Sequence, residues 1–294
     1  MSLLSSTVQD GWLLTKVCLA ATAAWLVPER LWMPLGRVIG RVQTAVRTPE
    51  SGLDVSVAAA TGRSARSLSI ERIASGHASR LWGLREYVRP RRDPPTDLVG
   101  MSHLACALAG KRGAILWVGR FTWASIMTKI GLHRAGCAVI HLSAPTHGFG
   151  TSPFAVRRLN PVWTRIEKRF VCERVVMEPG SRTTALRALR RHLAANAVVS
   201  ITVGDEGIRV VSVPFLGGIL RLATGPISLA AASGAPLLPV FTVADGTGRF
   251  RIEIEPALQC AAEDSRSRRD RRVAESYAAR LEPWVLRYPG QWLG

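Results

Sequence analysis

The sequence lacks the motifs that mark the common metal, nucleotide and hydrolase sites. It contains no G-x-x-x-x-G-K-[ST] loop, no G-x-G-x-x-G after an apolar run, no H-E-x-x-H and no G-x-S-x-G. Among its histidines only His141 and His147 stand at a ligand-like spacing, and no acidic residue is near them in the sequence. We therefore expect neither a bound metal nor a resident cofactor.

Cysteine pairs are also missing. The five cysteines are dispersed, without a C-x-x-C pair. An odd, scattered set argues against a disulfide framework and is typical of a reducing compartment. The sequence thus predicts buried structural thiols.

Lysine is scarce, with only four in the chain, so arginine carries nearly all of the formal net charge of +18. The planar guanidinium suits recognition of carboxylates and phosphates. An anionic membrane surface, a phosphorylated substrate or nucleic acid could each attract such a chain. Nucleic acid is disfavoured because no recognised binding motif or aromatic stacking platform accompanies the charge.

The N-terminal part has the character of a membrane-associating segment. Residues 11–27 are apolar apart from Lys16, at the lower length limit for a membrane span, and residues 1–10 lack the basic region of a signal peptide. Residues 31–47 place arginines opposite an apolar face, a pattern suited to a lipid interface. Together they favour membrane association, peripheral or through a single N-terminal anchor, over an ordinary pair of core-facing helices.

Further signals divide the chain into two parts. Residues 48–61 have a loop-like composition, residues 64–88 have helical spacing, and residues 89–97 hold three prolines that exclude regular structure. The sequence therefore predicts an N-terminal helical, membrane-associating segment with its linker at 1–97, followed by one domain at 98–294.

Helical and strand patterns alternate from residue 98 onward, which predicts an α/β fold with a mixed, largely parallel sheet flanked by helices. Short apolar runs predict strands at 114–118, 138–142, 198–203, 237–243 and 250–255. Helical spacing is found at 98–109, 123–132, 162–169, 181–195, 227–233 and 267–286. The first of these strands ends at Gly119 and presents Arg120 at a sheet edge, where such folds place their chemistry.

A more specific pattern begins with the acidic turn Gly204-Asp205-Glu206-Gly207. It continues with V-P-F-L-G at 213–217, A-T-G-P at 223–226 and S-G-A-P-L-L-P-V-F at 233–241. This order resembles the lipid A late acyltransferases and the related phosphatidylinositol mannoside acyltransferases of the lysophospholipid acyltransferase superfamily. The resemblance extends to the apolar N-terminal helix, the strand ending in glycine, an Asn160-Pro161 pair before a basic helix, and a closing P-x-Q-W.

The resemblance implies transfer of an acyl group from a coenzyme A or acyl carrier protein thioester to a glycolipid hydroxyl. The reaction would take place at the cytoplasmic face of the inner membrane and needs no cofactor besides the donor. In the family a His-x4-Asp/Glu motif follows the first strand, and its histidine acts as the base. The matching positions here are Arg120 and Ser125. A guanidinium stays protonated, so Arg120 cannot be a general base.

Three explanations stay open at this point. The chain is a non-catalytic relative that binds a lipid or a carrier protein, or it acylates an amine or another nucleophile while Arg120 holds a carboxylate, a phosphate or a developing oxyanion. In the third explanation a displaced histidine serves as the base, and His147, in the loop after the second strand, is the nearest candidate by topology. His141, within an apolar run, is expected to be a core residue.

The resemblance also suggests substrate-binding residues, each of which has a simpler structural interpretation. Asp205 and Glu206 could shape an acceptor pocket, although their segment is good turn chemistry by itself. A basic group could hold phosphates of the donor or the lipid, or form a solvated helix face. Its members are Arg165, Lys168 and Arg169. Thr224, which opens a helix, completes the set.

Overall fold

The computed structural model describes residues 2–46, 52–88, 94–178, 180–260 and 265–294. Its α-helices are α1 (Ser2–Leu26), α2 (Trp32–Val46), α3 (Gly52–Thr61), α4 (Ala65–Val88), α5 (Met101–Ala109), α6 (Ala124–Arg134), α7 (Asn160–Glu167), α8 (Arg182–Ala194), α9 (Gly225–Ser233) and α10 (Arg266–Arg287). Its strands are β1 (Thr96–Val99), β2 (Ala114–Val118), β3 (Val139–Ser143), β4 (Glu173–Val176), β5 (Val198–Thr202), β6 (Val210–Phe215), β7 (Gly218–Ala223), β8 (Leu237–Ala244) and β9 (Phe250–Ile254).

Seven of the strands form one sheet in the order β1-β9-β8-β2-β5-β3-β4. Strands β8, β2, β5, β3 and β4 are parallel, whereas β9 runs antiparallel to β8 and β1 runs parallel to β9. Strands β6 and β7 form a separate antiparallel hairpin. The predicted α/β fold with a mixed, largely parallel sheet is confirmed.

Helices cover both faces of the sheet, which explains why every residue of β2 is apolar and buried. On one face Tyr277 of α10 packs against Trp117 of β2, with ring centroids 4.3 Å apart. Helix α6 returns along the other face, where a second apolar cluster joins it to α2, α4 and α7. The N-terminal helices and the sheet therefore share an apolar core.

Helix α2 packs against α4 through small residues. A methyl group on Gly36 would lie 2.8 Å from Ala74 Cα, and one on Gly40 would lie 2.9 Å from the Ile70 carbonyl oxygen, so only glycine allows this close approach. Thr44 extends the buried seam by another turn. The larger apolar side chains of α2 consequently point away from α4. They are exposed at Leu35, Val38, Ile39, Val42 and Val46.

Helix α1 also leaves large apolar side chains exposed, among them Trp12, Leu19 and Trp25. None of the helices within the described ranges combines the length and the apolar character that crossing a bilayer requires. Membrane association of the N-terminal part thus stays a prediction.

Several local predictions were wrong. The loop predicted at 48–61 contains α3, whereas 48–51 and most of the linker at 89–97 lie outside the described residues. Strand β1 begins before the predicted boundary at 97/98, and it includes residues 98–99, where the sequence predicts the start of a helix. Three thiols predicted to be buried are exposed, because Cys18, Cys106 and Cys172 lie on helix or loop surfaces. The division into 1–97 and 98–294 stays a prediction.

Candidate active site at the sheet edge

Three of the predicted site segments follow neighbouring parallel strands. Arg120 follows β2, Asp205 and Glu206 follow β5, and His147 follows β3. Because β5 lies between β2 and β3, the ends of the two outer strands are separated by about 10 Å, twice the spacing of paired strands. The carboxyl ends of parallel strands are where α/β folds bind their ligands. These three segments therefore frame one region.

The Arg120 turn is held through its backbone. The Leu293 amide donates to the Arg120 carbonyl at 2.8 Å, and the Thr122 amide donates to the Gln291 carbonyl at the same distance. From helix α4, Ser79 Oγ donates to the Thr122 carbonyl at 2.8 Å. The Arg120 side chain is half-buried, and among the described residues it has no hydrogen-bond or ion-pair partner. The turn is fixed while its cation stays available.

A cavity of about 890 Å³ lies between the N-terminal helices and the loop that joins β8 to β9, and it reaches Trp123, three residues after Arg120. Three indole rings contribute to its lining, those of Trp32, Trp82 and Trp123. The arginines Arg37 and Arg287 also line it, and both are exposed. The cavity is thus apolar in part, with cations at its boundary, and lies within the usual size range of ligand sites.

The loop that carries His147 is organised by one buried amide. Asn160, at the start of α7, donates from Nδ2 to the carbonyls of Thr146 (3.1 Å) and Gly150 (2.8 Å). Its Oδ1 accepts from the amides of Phe149 (2.8 Å) and Gly150 (3.2 Å). Gly148 has φ +147°, and a methyl group there would lie 2.5 Å from Asn160 Cγ. The loop can adopt this shape only with glycine at that position.

Below the loop, His147 meets a buried ion pair. His147 Nε2 lies 3.0 Å from Glu167 Oε1, and the same oxygen pairs with Lys129 Nζ from helix α6. The side chains of Glu167 and Lys129 are only 1% and 4% exposed, whereas that of His147 is 29% exposed. The histidine therefore links a buried carboxylate to the surface.

The electrostatics of this cluster keep Glu167 ionised. Burial by itself raises the pKa of the Glu167 carboxyl, but the nearby Lys129 ammonium and His147 imidazole outweigh it, so the pKa lies well below its ordinary value. Burial lowers the pKa of Lys129, an effect that Glu167 opposes. Burial and the Lys129 charge hold the pKa of His141 well below its usual range. His141 is buried, as predicted for a core residue.

The arrangement defines what the histidine can do. An ionised carboxylate only accepts hydrogen bonds, so Glu167 requires the proton of a neutral His147 on Nε2 and leaves Nδ1 as an acceptor. An imidazole whose other nitrogen is held by a carboxylate is the usual form of a general base in group transfer. Among the described residues no group of three or more metal-binding side chains is present.

The remaining predicted residues differ in their exposure. Ser125 is half-buried in the first turn of α6, and Asp205, Glu206, Arg165 and Lys168 are exposed. Thr224 is buried, and its hydroxyl donates to the Arg209 carbonyl at 3.4 Å.

Arg169 serves as a contact between helices in this structure. It donates to the Glu86 carbonyl at 3.1 Å and lies over the Phe170 ring, so it joins the end of α7 to α4.

Sequence reasoning missed Glu167 and Lys129. No acidic residue is near His147 in the sequence, but α7 folds back and brings a carboxylate from twenty positions away. One signal was available, since Glu167 is the only acidic residue between Asp97 and Glu173. A single acidic residue in such a basic stretch has many basic residues with which it can form an ion pair.

Comparison with known proteins identifies relatives of this chain. A family model described as bacterial lipid A biosynthesis acyltransferase matches residues 87–293. Two phosphatidylinositol mannoside acyltransferases of Mycobacterium tuberculosis, from strains ATCC 25618 / H37Rv and CDC 1551 / Oshkosh, are each 29% identical to this chain over 205 residues. Each match covers 66% of this chain and 59% of the relative, so the chain spans less than two thirds of their length.

Proposed function

The chain belongs to the family of bacterial lipid A biosynthesis acyltransferases, and on this premise we propose that it acylates a membrane lipid. The donor in this proposal is an acyl thioester of coenzyme A or acyl carrier protein. The acceptor is a hydroxyl or an amine of a lipid or glycolipid, and a mannosylated phosphatidylinositol is the first to test because it is named for the relatives. The family resemblance predicted from the motifs is confirmed.

The observation that carries the proposal is the convergence of Arg120 and His147 on one sheet edge. The strands that precede them are two positions apart in the sheet, and in this proposal the reacting carbonyl group lies between the cation and the imidazole. Acyl transfer needs both a cation and a base, because the carbonyl oxygen becomes negative as the acceptor loses its proton.

Arg120 suits the first of these tasks. Three hydrogen bonds to neighbouring segments, one at Arg120 and two at Thr122, fix the backbone of its turn, and its side chain has no acceptor among the described residues. A pre-positioned cation stabilises the developing oxyanion or a phosphate of the substrate without having to break an ion pair first. In this proposal Ser125, in the first turn of α6, takes no part in proton transfer.

The cavity that reaches Trp123 is the candidate binding site for a substrate. It is lined by the rings of Trp32, Trp82 and Trp123, which suit an alkyl chain, and its exposed arginines suit a phosphate. We assign this cavity to the lipid portion of a substrate. The exposed acids Asp205 and Glu206, between the two catalytic segments, are then placed near the acceptor.

The membrane face in this proposal consists of the exposed sides of α1 and α2. Both helices leave large apolar side chains exposed, and Arg37 and Arg41 are exposed along α2. Arginines flanking an apolar surface favour a bilayer with anionic lipids. Asp10 of α1 accepts a hydrogen bond from Ser152 in the loop that carries His147, at 2.5 Å, so the proposed membrane face adjoins the site. Within this proposal the attachment is peripheral, at the cytoplasmic face of the inner membrane.

The proposal is tested by mass spectrometry of lipids after incubation with acyl thioesters. We expect wild-type protein to produce a lipid heavier by one acyl group, and Arg120→Ala to lower kcat by about 10²- to 10³-fold, the usual effect of removing an oxyanion donor. Arg190→Ala, on the exposed surface of α8, is the matched control and should retain full activity. Saturable lipid or carrier binding with no product from any thioester would contradict the proposal and favour an inactive binding protein.

A further inference from the structure

We propose that Glu167 is the positioning residue that makes His147 the general base, and that Lys129 fixes this carboxylate in place. The inference rests on the acyl transfer proposed above and adds two residues that the sequence did not indicate. Its basis is the single oxygen, Glu167 Oε1, that accepts from both His147 Nε2 and Lys129 Nζ.

The carboxylate determines the direction of the imidazole. Because Glu167 Oε1 accepts a hydrogen bond from Nε2 at 3.0 Å, the nitrogen with a lone pair is Nδ1, on the other side of the ring. Glu167 is almost completely buried, whereas 29% of the His147 side chain is exposed. His147 is therefore the member of the pair that a substrate can reach.

Lys129 keeps the Glu167 carboxylate ionised and keeps it available as a hydrogen-bond acceptor for His147. A lone buried carboxylate would become protonated and could then turn its own proton toward the histidine. The other groups that face the pair are His141 from β3 and Arg174 from β4. Burial keeps His141 neutral, and Arg174 Nη2 donates to Ser143 Oγ at 2.8 Å, which leaves Lys129 as the direct cationic partner.

With a hydroxyl acceptor, acyl transfer proceeds through a tetrahedral intermediate. His147 Nδ1 takes the hydroxyl proton while the oxygen forms a bond to the thioester carbonyl carbon. The tetrahedral intermediate then breaks its carbon–sulfur bond, and the imidazolium returns the proton to the departing thiolate. Glu167 stays ionised throughout and stabilises the imidazolium, the usual role of the third member of such a set.

Replacing Glu167 by an amide of the same shape tests the positioning role. For Glu167→Gln we expect kcat to fall at least 10²-fold with KM unchanged, because general-base catalysis contributes about that much or more. Added imidazole should restore part of the turnover of His147→Ala, since it replaces the missing base. Wild-type kcat in Glu167→Gln, or no rescue of His147→Ala by imidazole, would overturn the inference.

A double variant separates positioning from folding. Lys129→Met with Glu167→Leu replaces the ion pair by apolar side chains, which is often neutral for stability. We expect this protein to unfold at the wild-type denaturant concentration and to lose turnover as Glu167→Gln does. Full turnover in the folded double variant would show that the pair serves the fold alone.

Nitrogen NMR of the His147 ring gives a readout that does not require activity. In the wild type we expect the Nε2-protonated tautomer, and in Glu167→Gln a loss of that preference. An Nδ1-protonated ring in the wild type would overturn the inference. If the ring has the expected tautomer but wild-type protein acylates no lipid, the proposed function fails, and the base role fails with it.

Discussion

The two segments that frame the sheet edge are fixed in opposite ways. At the Arg120 turn, α4 and the C-terminal residues hold the backbone, and the side chain has no partner among the described residues. At the His147 loop, Asn160 holds the backbone, and a buried ion pair holds the side chain. One segment thus presents an uncommitted cation and the other an oriented imidazole.

This difference corresponds to two different chemical tasks. A cation that must respond to charge on a substrate is most effective when no carboxylate already neutralises it. A histidine that must accept a proton needs a defined tautomer, which only a fixed partner can provide. The comparison therefore assigns charge stabilisation to Arg120 and proton transfer to His147, within the proposed reaction.

The largest effect should come from breaking the buried pair on one side only. Lys129→Met leaves the Glu167 charge buried without its main partner, so we expect the free energy of unfolding to fall by about 3–5 kcal/mol. Arg120→Met removes no ion pair and should lower it by less than about 1 kcal/mol. Chemical denaturation measures both. Equal losses of the free energy of unfolding in the two variants would contradict the proposed difference between the Arg120 turn and the His147 loop.

A smaller effect is expected from the shape of the His147 loop. Gly148→Ala places a methyl group 2.5 Å from Asn160 Cγ in a backbone conformation that favours glycine, which should cost about 1–3 kcal/mol and lower kcat as His147 moves. Gly136→Ala is the matched control, because Gly136 also has positive φ but no atom within 4 Å of the added group. Thermal unfolding and turnover of the two variants should differ clearly; similar values would mean that the close contact with Asn160 is unimportant.

The smallest effect concerns the proposed membrane face, which brings lipid to both segments. Arg37→Ala and Arg41→Ala should each weaken binding to vesicles that contain anionic lipid by about 1 kcal/mol, and added salt should reduce the difference. Vesicle sedimentation measures this, with Arg190→Ala on α8 as the control. Unchanged binding in both α2 variants would place the membrane face elsewhere.

The sequence was sufficient to predict the sheet and the Arg120 turn because both depend on local patterns. The buried run of β2 has its predicted bounds, and the helices of the α/β part lie within a few residues of their predicted positions. The short strands β1 and β4 were missed, since four residues give too little periodicity to detect. The proline, glycine, serine and aspartate residues of 48–61 likewise concealed α3, whose packing on neighbouring helices overrides its weak local signal.

The candidate site was predictable only where it follows a strand. Arg120 and His147 are predicted as site residues because topology places the ends of parallel strands together. Glu167 and Lys129 lie within helices, one on each of α7 and α6, and their meeting depends on how these helices pack on the sheet. The contact between Glu167 and Lys129 cannot be predicted from any regular spacing in the sequence.

The most direct test of the account is the stoichiometry and rate of acyl transfer by wild-type and His147→Ala proteins. Thiol released from the thioester and acylated lipid are both measured, with Arg190→Ala as the control. We predict equal amounts of thiol and acylated lipid from the wild type and from the control, and almost none of either from His147→Ala. Acylated lipid formed by His147→Ala at the wild-type rate would contradict the account.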